Sequence, residues 1–190
     1  MSLILSLFDF TGAWSQPYLD AGNNVLRIDL KRGIDILTWD YRVIARHVHG
    51  ILAAPPCTDF AVSGAQYWKQ KDADGRTQKG LELVDKMLEI INHFKPDFWA
   101  VEQPVGRLPR LRPALGAPWY FQPCDFGDPW IKKTAVFGKF NRPKKTPCAP
   151  VRACDAGSWL MRLGGKSERT KELRSATPPG FARAFFEANS

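Results

Sequence analysis

The sequence predicts an α/β fold with a mostly parallel sheet, because short apolar runs alternate with segments of helical character. Residues 78–93 place Leu81, Val84, Leu88 and Ile91 at helical spacing, which predicts a helix there. Four apolar runs are predicted as strands of the sheet, and they cover residues 3–10, 25–29, 49–54 and 97–102.

Residues with chemically useful side chains follow the predicted strands directly. The ends of the four runs carry, in order, Asp9 with Thr11-Gly12, Asp29, Pro55-Pro56-Cys57 and Glu102-Gln103-Pro104. In parallel sheets of this kind, ligands bind at the carboxyl ends of the strands. We therefore expect these residues to converge on one edge of the sheet and to form a site there.

The remaining segments complete the predicted order of elements. Residues 18–21 fit a short helix that Gly22 closes. Residues 120–122 and 134–137 are predicted as a final antiparallel pair of strands. Residues 141–180 are rich in Pro, Gly, Lys and Arg and have little periodicity, so we expect loops or a loosely packed basic lobe.

Length and composition predict a single globular domain. The chain has 190 residues, of which 44% are hydrophobic and 24% charged, and both fractions are ordinary for a globular protein. No apolar run approaches the roughly 18–20 residues that span a bilayer, and the first ten residues lack the basic start of a signal peptide. We expect a cytoplasmic protein. The four cysteines form no C-x-x-C pair, so no metal site is expected.

Positive charge is concentrated in the last third of the chain. Residues 1–130 hold 14 Lys/Arg and 15 Asp/Glu, a net charge of −1, whereas residues 131–190 hold 13 Lys/Arg and 4 Asp/Glu, a net charge of +9. This asymmetry favours a polyanionic partner such as nucleic acid. The alternative is a basic surface that only keeps the protein soluble.

The turn after the first strand and the acid after the second are candidates for binding a nucleoside cofactor. Gly12 allows the backbone to approach a ligand closely. Asp29 stands where a carboxylate commonly accepts the ribose hydroxyls, and Asp35 is placed to receive an adenine amino group. The alternatives are a surface acid at a strand end for Asp29 and a turn residue for Asp35.

Cys57 has the setting of a reactive cysteine. Pro55 and Pro56 stiffen the loop, which makes Cys57 poorly placed for core packing and well placed for reaction. A free thiol has a pKa near 8.5, so only about 3% is thiolate at pH 7, and a nearby cation or helix N-terminus would raise that fraction. A structural cysteine is the alternative. Cys124, Cys148 and Cys154 lack this setting.

The order Phe10-x-Gly12, Asp29, Pro55-Pro56-Cys57 and Glu102-x-Pro104 resembles the DNA cytosine-5 methyltransferases. The segment from Cys124 to Thr134 is similar to a Gly-x-Pro-Gln-x-Arg-x-Arg segment of that family, and the ending from Thr177 to Phe185 is similar to compact phage and bacterial methyltransferase-like proteins. The resemblance covers nearly the whole chain. It implies a Rossmann-like fold dependent on S-adenosylmethionine, DNA as the substrate and, for a phage protein, action in the host cytoplasm.

The resemblance also implies roles for individual residues. Cys57 would be the nucleophile that attacks cytosine C6, and Glu102 the carboxyl group that protonates or hydrogen-bonds N3. The cofactor would be held by Phe10, Thr11, Gly12, Asp29 and Asp35, with Pro55 between cofactor and base. Lys132 and Lys133 would stand where the family has paired arginines. Phosphate contacts are expected from Lys139, Arg142, Lys144, Lys145 and Arg152, unless this run is a solvated loop.

The sequence departs from the family in ways that leave other functions open. Thr58 replaces a glutamine, Gln103 replaces an asparagine, and Ala13-Trp14-Ser15 replaces a glycine-rich loop. Residues 1–140 would be the catalytic core, with 141–190 a basic segment and a C-terminal helix returning to the same domain. Only about residues 141–165 remain for target recognition, so a protein partner is one solution. A free pyrimidine nucleotide or RNA as substrate, and a nucleic-acid-binding relic without activity, are the alternatives.

Overall fold

The computed structural model describes residues 1–151 and 167–190 and contains one six-stranded sheet. Its strands are β1 (Leu3–Leu7), β2 (Asn24–Ile28), β3 (Gly50–Ala53), β4 (Phe98–Pro104), β5 (Trp119–Phe121) and β6 (Thr134–Lys139). They lie in the order β2-β1-β3-β4-β6-β5. The first four are parallel, and β6 runs antiparallel to both β4 and β5. The predicted α/β fold, its mostly parallel sheet and the final antiparallel pair are confirmed.

Helices connect and cover the strands. They are α1 (Gln16–Asp20), α2 (Trp68–Ala73), α3 (Arg76–Phe94), α4 (Leu108–Leu111), α5 (Glu168–Ser175) and α6 (Pro179–Ala188). The predicted helices over 18–21 and 78–93 correspond to α1 and α3. The expectation of loops throughout 141–180 is wrong for α5. This helix is mostly polar, so it shows little apolar periodicity, and it begins where the Ser167 hydroxyl accepts the Thr170 amide.

Side chains of the central strands alternate between two hydrophobic cores. Leu5 and Leu7 of β1 face the core beneath α3, whereas Ile4 faces the core beneath α1 and α6. Each fully buried Leu or Ile contributes about 1.5–3 kcal/mol. In the second core, Phe181 of α6 stacks on Phe121 with 3.9 Å between ring centroids. The last helix of the chain therefore packs on the same sheet as the first strand.

The first strand is shorter than the sequence predicted. It ends at Leu7 because Phe8 takes a φ of 60°, which breaks the extended backbone. The Phe8 amide still donates a 2.7 Å hydrogen bond to the carbonyl oxygen of Ile28. Residues 8–12 thus form a tight loop at the carboxyl end of the sheet rather than a continuation of the strand.

None of the helices in residues 1–151 and 167–190 combines the length and the apolar character that crossing a membrane would require.

Candidate active site

One end of each of the six strands lies on the same side of the sheet, and the loops there form the candidate site. The loops after β1, β2, β3 and β4 begin there with Phe8, Asp29, Ala54 and Val105. Because β6 is antiparallel, its first residue pairs with the last residue of β4, and the segment before β6 reaches the same edge. The predicted convergence of the residues that follow the strands is what the topology produces.

Asp9 organises the first loop. Its carboxylate is 9% exposed and accepts hydrogen bonds from the Ser6 hydroxyl at 2.7 Å, the Ser15 hydroxyl at 2.6 Å and the Gly12 amide at 2.8 Å. Gly12 has a φ of 74°, and a Cβ there would lie 2.3 Å from the guanidinium of Arg27. The sequence places Asp9 at the end of the first predicted strand but assigns it no role, because its partners Ser6, Gly12 and Ser15 are brought to it only by the fold.

The replacement of the family's glycine-rich loop by Ala13-Trp14-Ser15 has a structural explanation. Trp14 is 2% exposed and packs against Phe181 and Phe185 of α6, with ring centroids 5.9 and 5.5 Å away. Ser15 bonds Asp9 and also accepts the Arg27 Nε–H at 2.9 Å. These residues fix the loop by packing and hydrogen bonding, a function that additional glycines could not supply.

A cleft of about 460 Å³ lies between the loops after β1 and β2. Four of the six residues predicted to bind the cofactor line it, namely Phe10, Thr11, Asp29 and Asp35. The structure does not bring the other two to the cleft wall. Gly12 lies against Arg27, and Pro55 is buried, while its neighbours Pro56 and Thr58 line the cleft.

Both acids in the cleft also stabilise local turns. Asp29 Oδ1 accepts the Lys31 amide at 2.8 Å, and Asp35 Oδ1 accepts the Leu37 amide at 3.0 Å. A carboxylate has about four lone-pair sites on its two oxygens, so a turn contact leaves room for a ligand hydroxyl or amine. The two functions weighed for Asp35, a turn residue and a ligand contact, are compatible.

The side of the cleft is formed by the C-terminal part of the chain. Lys31 forms an ion pair with Glu172 of α5 at 3.1 Å, and its ammonium lies 5.0 Å from the centre of the Phe10 ring. Ser175 and Thr177 also line the cleft. Helix α5 therefore closes one wall of the cleft, which the sequence did not indicate because this helix was not predicted.

Cys57 follows β3 and lies within a tight turn beside the cleft. Its carbonyl oxygen accepts the amides of Phe60 and Ala61, both at 2.9 Å, and its side chain is partly buried. Burial raises the pKa of the Cys57 thiol, and the carboxylate of Glu102 raises it further, whereas the ammonium of Lys132 lowers this pKa. The net shift is upward, so the thiol is protonated at neutral pH in the structure described.

Glu102 lies near the end of β4 and is 6% exposed. Its Oε2 accepts the Thr177 hydroxyl at 3.0 Å, and its Oε1 lies 3.7 Å from the ammonium of Lys132. Lys132 also donates to the carbonyl oxygen of Arg174 at 3.2 Å. Glu102 and Lys132 are thus neighbours, and both act electrostatically on Cys57. Thr177 belongs to this group although sequence reasoning gave it no role.

Gln103 connects β4 to the loop that carries Cys57. It is 2% exposed, and its Nε2 donates a hydrogen bond to the Pro55 carbonyl oxygen. Its Oε1 is buried and has no hydrogen-bond partner among the residues described. Gln103 therefore positions the Pro55-Pro56-Cys57 turn through its side-chain amide. Asparagine, which the similar methyltransferases have here, carries the same group.

Two buried cations hold the same loop from the other side. Lys71 is 6% exposed, donates to the Thr58 carbonyl oxygen and lies 3.3 Å from Asp59 Oδ1. Arg107 donates from Nε to the Asp59 carbonyl oxygen at 3.1 Å and forms a two-pronged pair with Asp72. Neither residue was identified from the sequence, because their partners become visible only after the chain has folded.

The basic residues predicted to bind the substrate occupy different places. Lys132 lies in the site, whereas Lys133 lies beside it with its ammonium 5.0 Å from the centre of the Tyr120 ring. Lys144 and Lys145 are exposed, and Lys145 pairs with Asp125 at 3.1 Å. Asp125 belongs to the turn that follows β5 at the site edge.

Lys139 and Arg142 do not join this group. In the antiparallel pairing of β4 and β6, Lys139 lies opposite Trp99 near the start of β4. Glu102 lies toward the other end of that strand. Arg142 is exposed and follows Asn141, which hydrogen-bonds Asn189 at 2.7 Å, also near the start of β4. The antiparallel direction of β6 carries the chain away from the site. Arg152, a further predicted phosphate contact, lies outside the described residues.

Comparisons with known proteins agree with the resemblance stated from the sequence. No family model matches the chain. It is 26% identical over 200 residues to a Frog virus 3 (isolate Goorha) protein named "Probable DNA (cytosine-5)-methyltransferase", covering 90% of this chain and 92% of the viral protein. The resemblance to DNA cytosine-5 methyltransferases is thereby confirmed.

One solved structure supports the fold. A prophage-encoded E. coli structure described as a "putative DNA modification methyltransferase" superposes with a TM-score of 0.50 at 16% identity. The match covers 73% of this chain and 47% of that one, so the chain spans about half of its length. A DNMT2 variant from Spodoptera frugiperda gives a TM-score of 0.45 at 18% identity, covering 88% of this chain and 60% of that one. The predicted Rossmann-like methyltransferase fold is confirmed by the first of these.

Proposed function

We propose that this chain transfers a methyl group from S-adenosylmethionine to C5 of cytosine in DNA, through a covalent adduct of the base with Cys57. The observation that carries the proposal is the grouping of Cys57 with Glu102 and Lys132 at strand ends beside an acid-lined cleft. The similarity to the Frog virus 3 protein supports it independently of this geometry.

The residues of the cleft fit the cofactor. Its volume of about 460 Å³ lies within the range of small-molecule sites. Asp29 follows β2, where a carboxylate accepts ribose hydroxyls, and Asp35 offers a second acceptor. Phe10 and Ile36 supply apolar walls for a purine ring. When bound, S-adenosylmethionine supplies an electrophilic methyl group.

Cys57 makes C5 of the base reactive. Its thiol loses a proton, and the thiolate forms a bond to C6, which moves the electrons of the C5–C6 double bond toward C5 and the N3 side of the ring. Glu102 hydrogen-bonds or protonates N3 as negative charge develops there. After methylation, a water molecule accepts the C5 proton, the C5–C6 double bond forms again as the bond from C6 to sulfur breaks, and the Cys57 thiolate leaves; a proton placed on N3 returns to Glu102.

Lys132 is the group that favours the charged form of the nucleophile. Its ammonium lowers the pKa of Cys57, which burial and Glu102 raise. The same ammonium lies 3.7 Å from Glu102 Oε1, so it is also a charged neighbour of the carboxyl group proposed to contact N3. A single lysine therefore acts on both partners, although it lacks the two-pronged geometry of the arginine that the family has there.

DNA would approach the edge of the sheet that carries Cys57. The target base must leave the helix stack to reach the thiol, at a cost of a few kcal/mol. Lys144 and Lys145 are the predicted phosphate contacts on this side, whereas Lys139 lies at the opposite ends of the strands. The set of phosphate contacts is therefore smaller than the sequence suggested.

A salt titration of duplex DNA binding tests this assignment. Each phosphate contact contributes about −0.9 to the slope of log K against log salt. Replacing Lys144 and Lys145 together with glutamine should make the slope shallower by about one to two units, because Lys145 also pairs with Asp125. The matched control is Lys139→Gln, which should leave the slope unchanged. Equal effects of both changes would contradict a DNA surface at the site edge.

The decisive experiment on function identifies the methylated product. The protein is incubated with methyl-labelled S-adenosylmethionine and duplex DNA, and the DNA is digested to nucleosides. We expect label in 5-methyldeoxycytidine, loss of activity in Cys57→Ser and at least a hundredfold slower reaction in Glu102→Gln. Cys124→Ser is the control and should stay active. Full activity of Cys57→Ser would refute the proposed nucleophile.

The short basic segment makes a smaller substrate the second candidate. Between β6 and α5 the chain has only residues 140–167, which limits a separate target-recognition unit. RNA and dCMP are therefore tested as acceptors beside DNA. Faster labelling of dCMP than of DNA, together with DNA binding that does not depend on salt, would show that the substrate is a free nucleotide rather than DNA. Failure to bind cofactor would instead indicate a relic without activity.

A further inference from the structure

Two histidines and one aspartate form a cluster at the edge of the sheet opposite the candidate active site. His47 and His49 precede β3, and Asp97 precedes β4. The loops that carry Cys57 and the end of β4 that carries Glu102 lie at the other ends of the same two strands. Nothing in the proposed methyl transfer uses this cluster.

The three side chains converge on one point. His47 Nε2 lies 3.0 Å and His49 Nδ1 lies 2.7 Å from the same oxygen, Oδ2 of Asp97. All three candidate ligand atoms lie within 4.8 Å of one another.

The backbone holds this arrangement without help from a ligand. Burial alternates just before β3: Val48 is 1% exposed and packs in the core, whereas His47 is exposed, His49 is half-buried, and both contact Asp97. The Asp97 amide donates to the His49 carbonyl oxygen at 3.0 Å. The His49 ring packs edge-on against Phe98 with 5.5 Å between centroids. The donor atoms are therefore preorganised.

We propose that His47 Nε2, His49 Nδ1 and a carboxylate oxygen of Asp97 bind one divalent transition-metal ion, with zinc as the physiological type. Imidazole nitrogen and carboxylate oxygen are ordinary zinc ligands, with bonds of about 2.0–2.2 Å. Around a tetrahedral ion such ligands lie about 3.3–3.5 Å apart. The observed separations of 2.7 and 3.0 Å between the imidazole nitrogens and Asp97 Oδ2 would open by about 0.3–0.8 Å to reach this spacing, which small rotations of the exposed side chains can supply.

Binding replaces the two hydrogen bonds by metal–ligand bonds. Each neutral imidazole presents a lone pair at the nitrogen that faced Asp97, and its ring proton moves to the other nitrogen. A depression of about 240 Å³ adjoins His49 and Asp97, which leaves the remaining coordination position to water. Lys139 lines the same depression, and its positive charge makes the site weaker than a closed structural site with four protein ligands.

The ion would join two neighbouring strands at their amino ends. His47 and His49 are fixed to β3 and Asp97 to β4, so an ion bound by all three stabilises the folded chain. The expectation of no metal considered only cysteine spacing, whereas this cluster forms because Asp97 lies 48 positions after His49 and meets the two histidines only in the fold. The inference is independent of the proposed methyl transfer.

The test is a calorimetric titration of the metal-free protein with Zn²⁺ and with Ni²⁺, paired with thermal melts. We expect one ion bound and a melting temperature raised by roughly 5–10 °C at an ion concentration about a hundred times Kd. His47→Gln and Asp97→Asn should weaken binding at least tenfold and remove most of the thermal shift. Circular dichroism checks that both variants fold, and both side chains are more than half exposed, at 63% and 56%.

The matched control is His93→Gln. His93 is an exposed histidine that packs beside Tyr41 and Phe94, away from the cluster, so its replacement should leave affinity and thermal shift unchanged. Equal affinity in wild type, His47→Gln and Asp97→Asn would show that the ion binds elsewhere, such as at the cysteines, and would overturn the proposal. Absence of binding at millimolar Zn²⁺ and Ni²⁺ would overturn it as well.

Discussion

Replacing Arg107 with lysine tests how the loop that carries Cys57 is held in place. The guanidinium is 10% exposed, donates to the Asp59 carbonyl oxygen at 3.1 Å and to the Thr77 hydroxyl at 2.7 Å, and stacks on Trp68 with 4.9 Å to the ring centre. Lysine keeps the charge but loses the fork. Two hydrogen bonds from a charged donor are worth about 1.5 kcal/mol each, so we expect a loss of about 3 kcal/mol.

No contribution from the Asp72 pair is added to this figure, because Asp72 is half exposed and water can replace its partner. The assay is urea denaturation, supported by thermal melts in which the melting temperature should fall by about 6–12 °C. The iodoacetamide reaction of Cys57 should also become faster, because the loosened turn exposes the thiol.

The matched control is Arg112→Lys, the same chemical change at a more exposed pair. Arg112 contacts both oxygens of Asp85, whose side chain is 47% exposed, so the loss should stay below about 1 kcal/mol. Equal destabilisation by the two changes, or an effect of Arg107→Lys within about 0.5 kcal/mol of zero, would refute the reasoning.

Three further predictions concern the pKa of Cys57, the pKa of Glu89 and the replacement of Gly12. Lys132→Met removes the cation that lowers the pKa of Cys57, so the midpoint of its alkylation against pH should rise; an unchanged midpoint argues against the contact. The pKa of Glu89 is lowered from 4.5 to about 2, so the ionised carboxylate stabilises the fold above about pH 4.5 and this stabilisation is lost as the pH falls toward 2. The difference in free energy of unfolding between wild type and Glu89→Gln should therefore shrink from pH 4.5 to pH 2, and a difference that stays constant would contradict the shift. Gly12→Ala should cost about 1 kcal/mol more than Gly22→Ala in chemical denaturation, because both positions have a positive φ but only a Cβ at residue 12 displaces the Arg27 guanidinium from Ser15 and Gln16; equal losses would show that Arg27 moves without loss.

The strands and the residues that follow them could be predicted because the signals are local. Apolar runs, the turn at Gly12 and the two prolines before Cys57 each lie within a few residues. The parallel sheet then brings Cys57 and Glu102 to one edge without any further information. The resemblance to a family supplied the roles of these residues. The fold is confirmed, whereas the roles stay predictions.

The remaining site residues depend on contacts between distant parts of the chain. Thr177 donates to Glu102 across 75 positions, and Arg107 reaches the Asp59 carbonyl oxygen across 48. No local pattern marks such partners. Lys139 shows the converse error, because its position in the sequence suggested the site, whereas the direction of β6 places it at the opposite edge of the sheet.

The central claim is that Cys57 forms a covalent bond to cytosine in DNA, and covalent trapping tests it most directly. Duplex DNA containing 5-fluorocytosine is incubated with the protein and S-adenosylmethionine, because fluorine at C5 blocks the final elimination and leaves the adduct in place. After denaturing electrophoresis and peptide mass spectrometry, the account predicts a DNA–protein adduct on the peptide containing Cys57, absent in Cys57→Ser and retained in Cys124→Ser. An adduct on another cysteine, or methylated DNA from a protein that never forms an adduct, would contradict the claim.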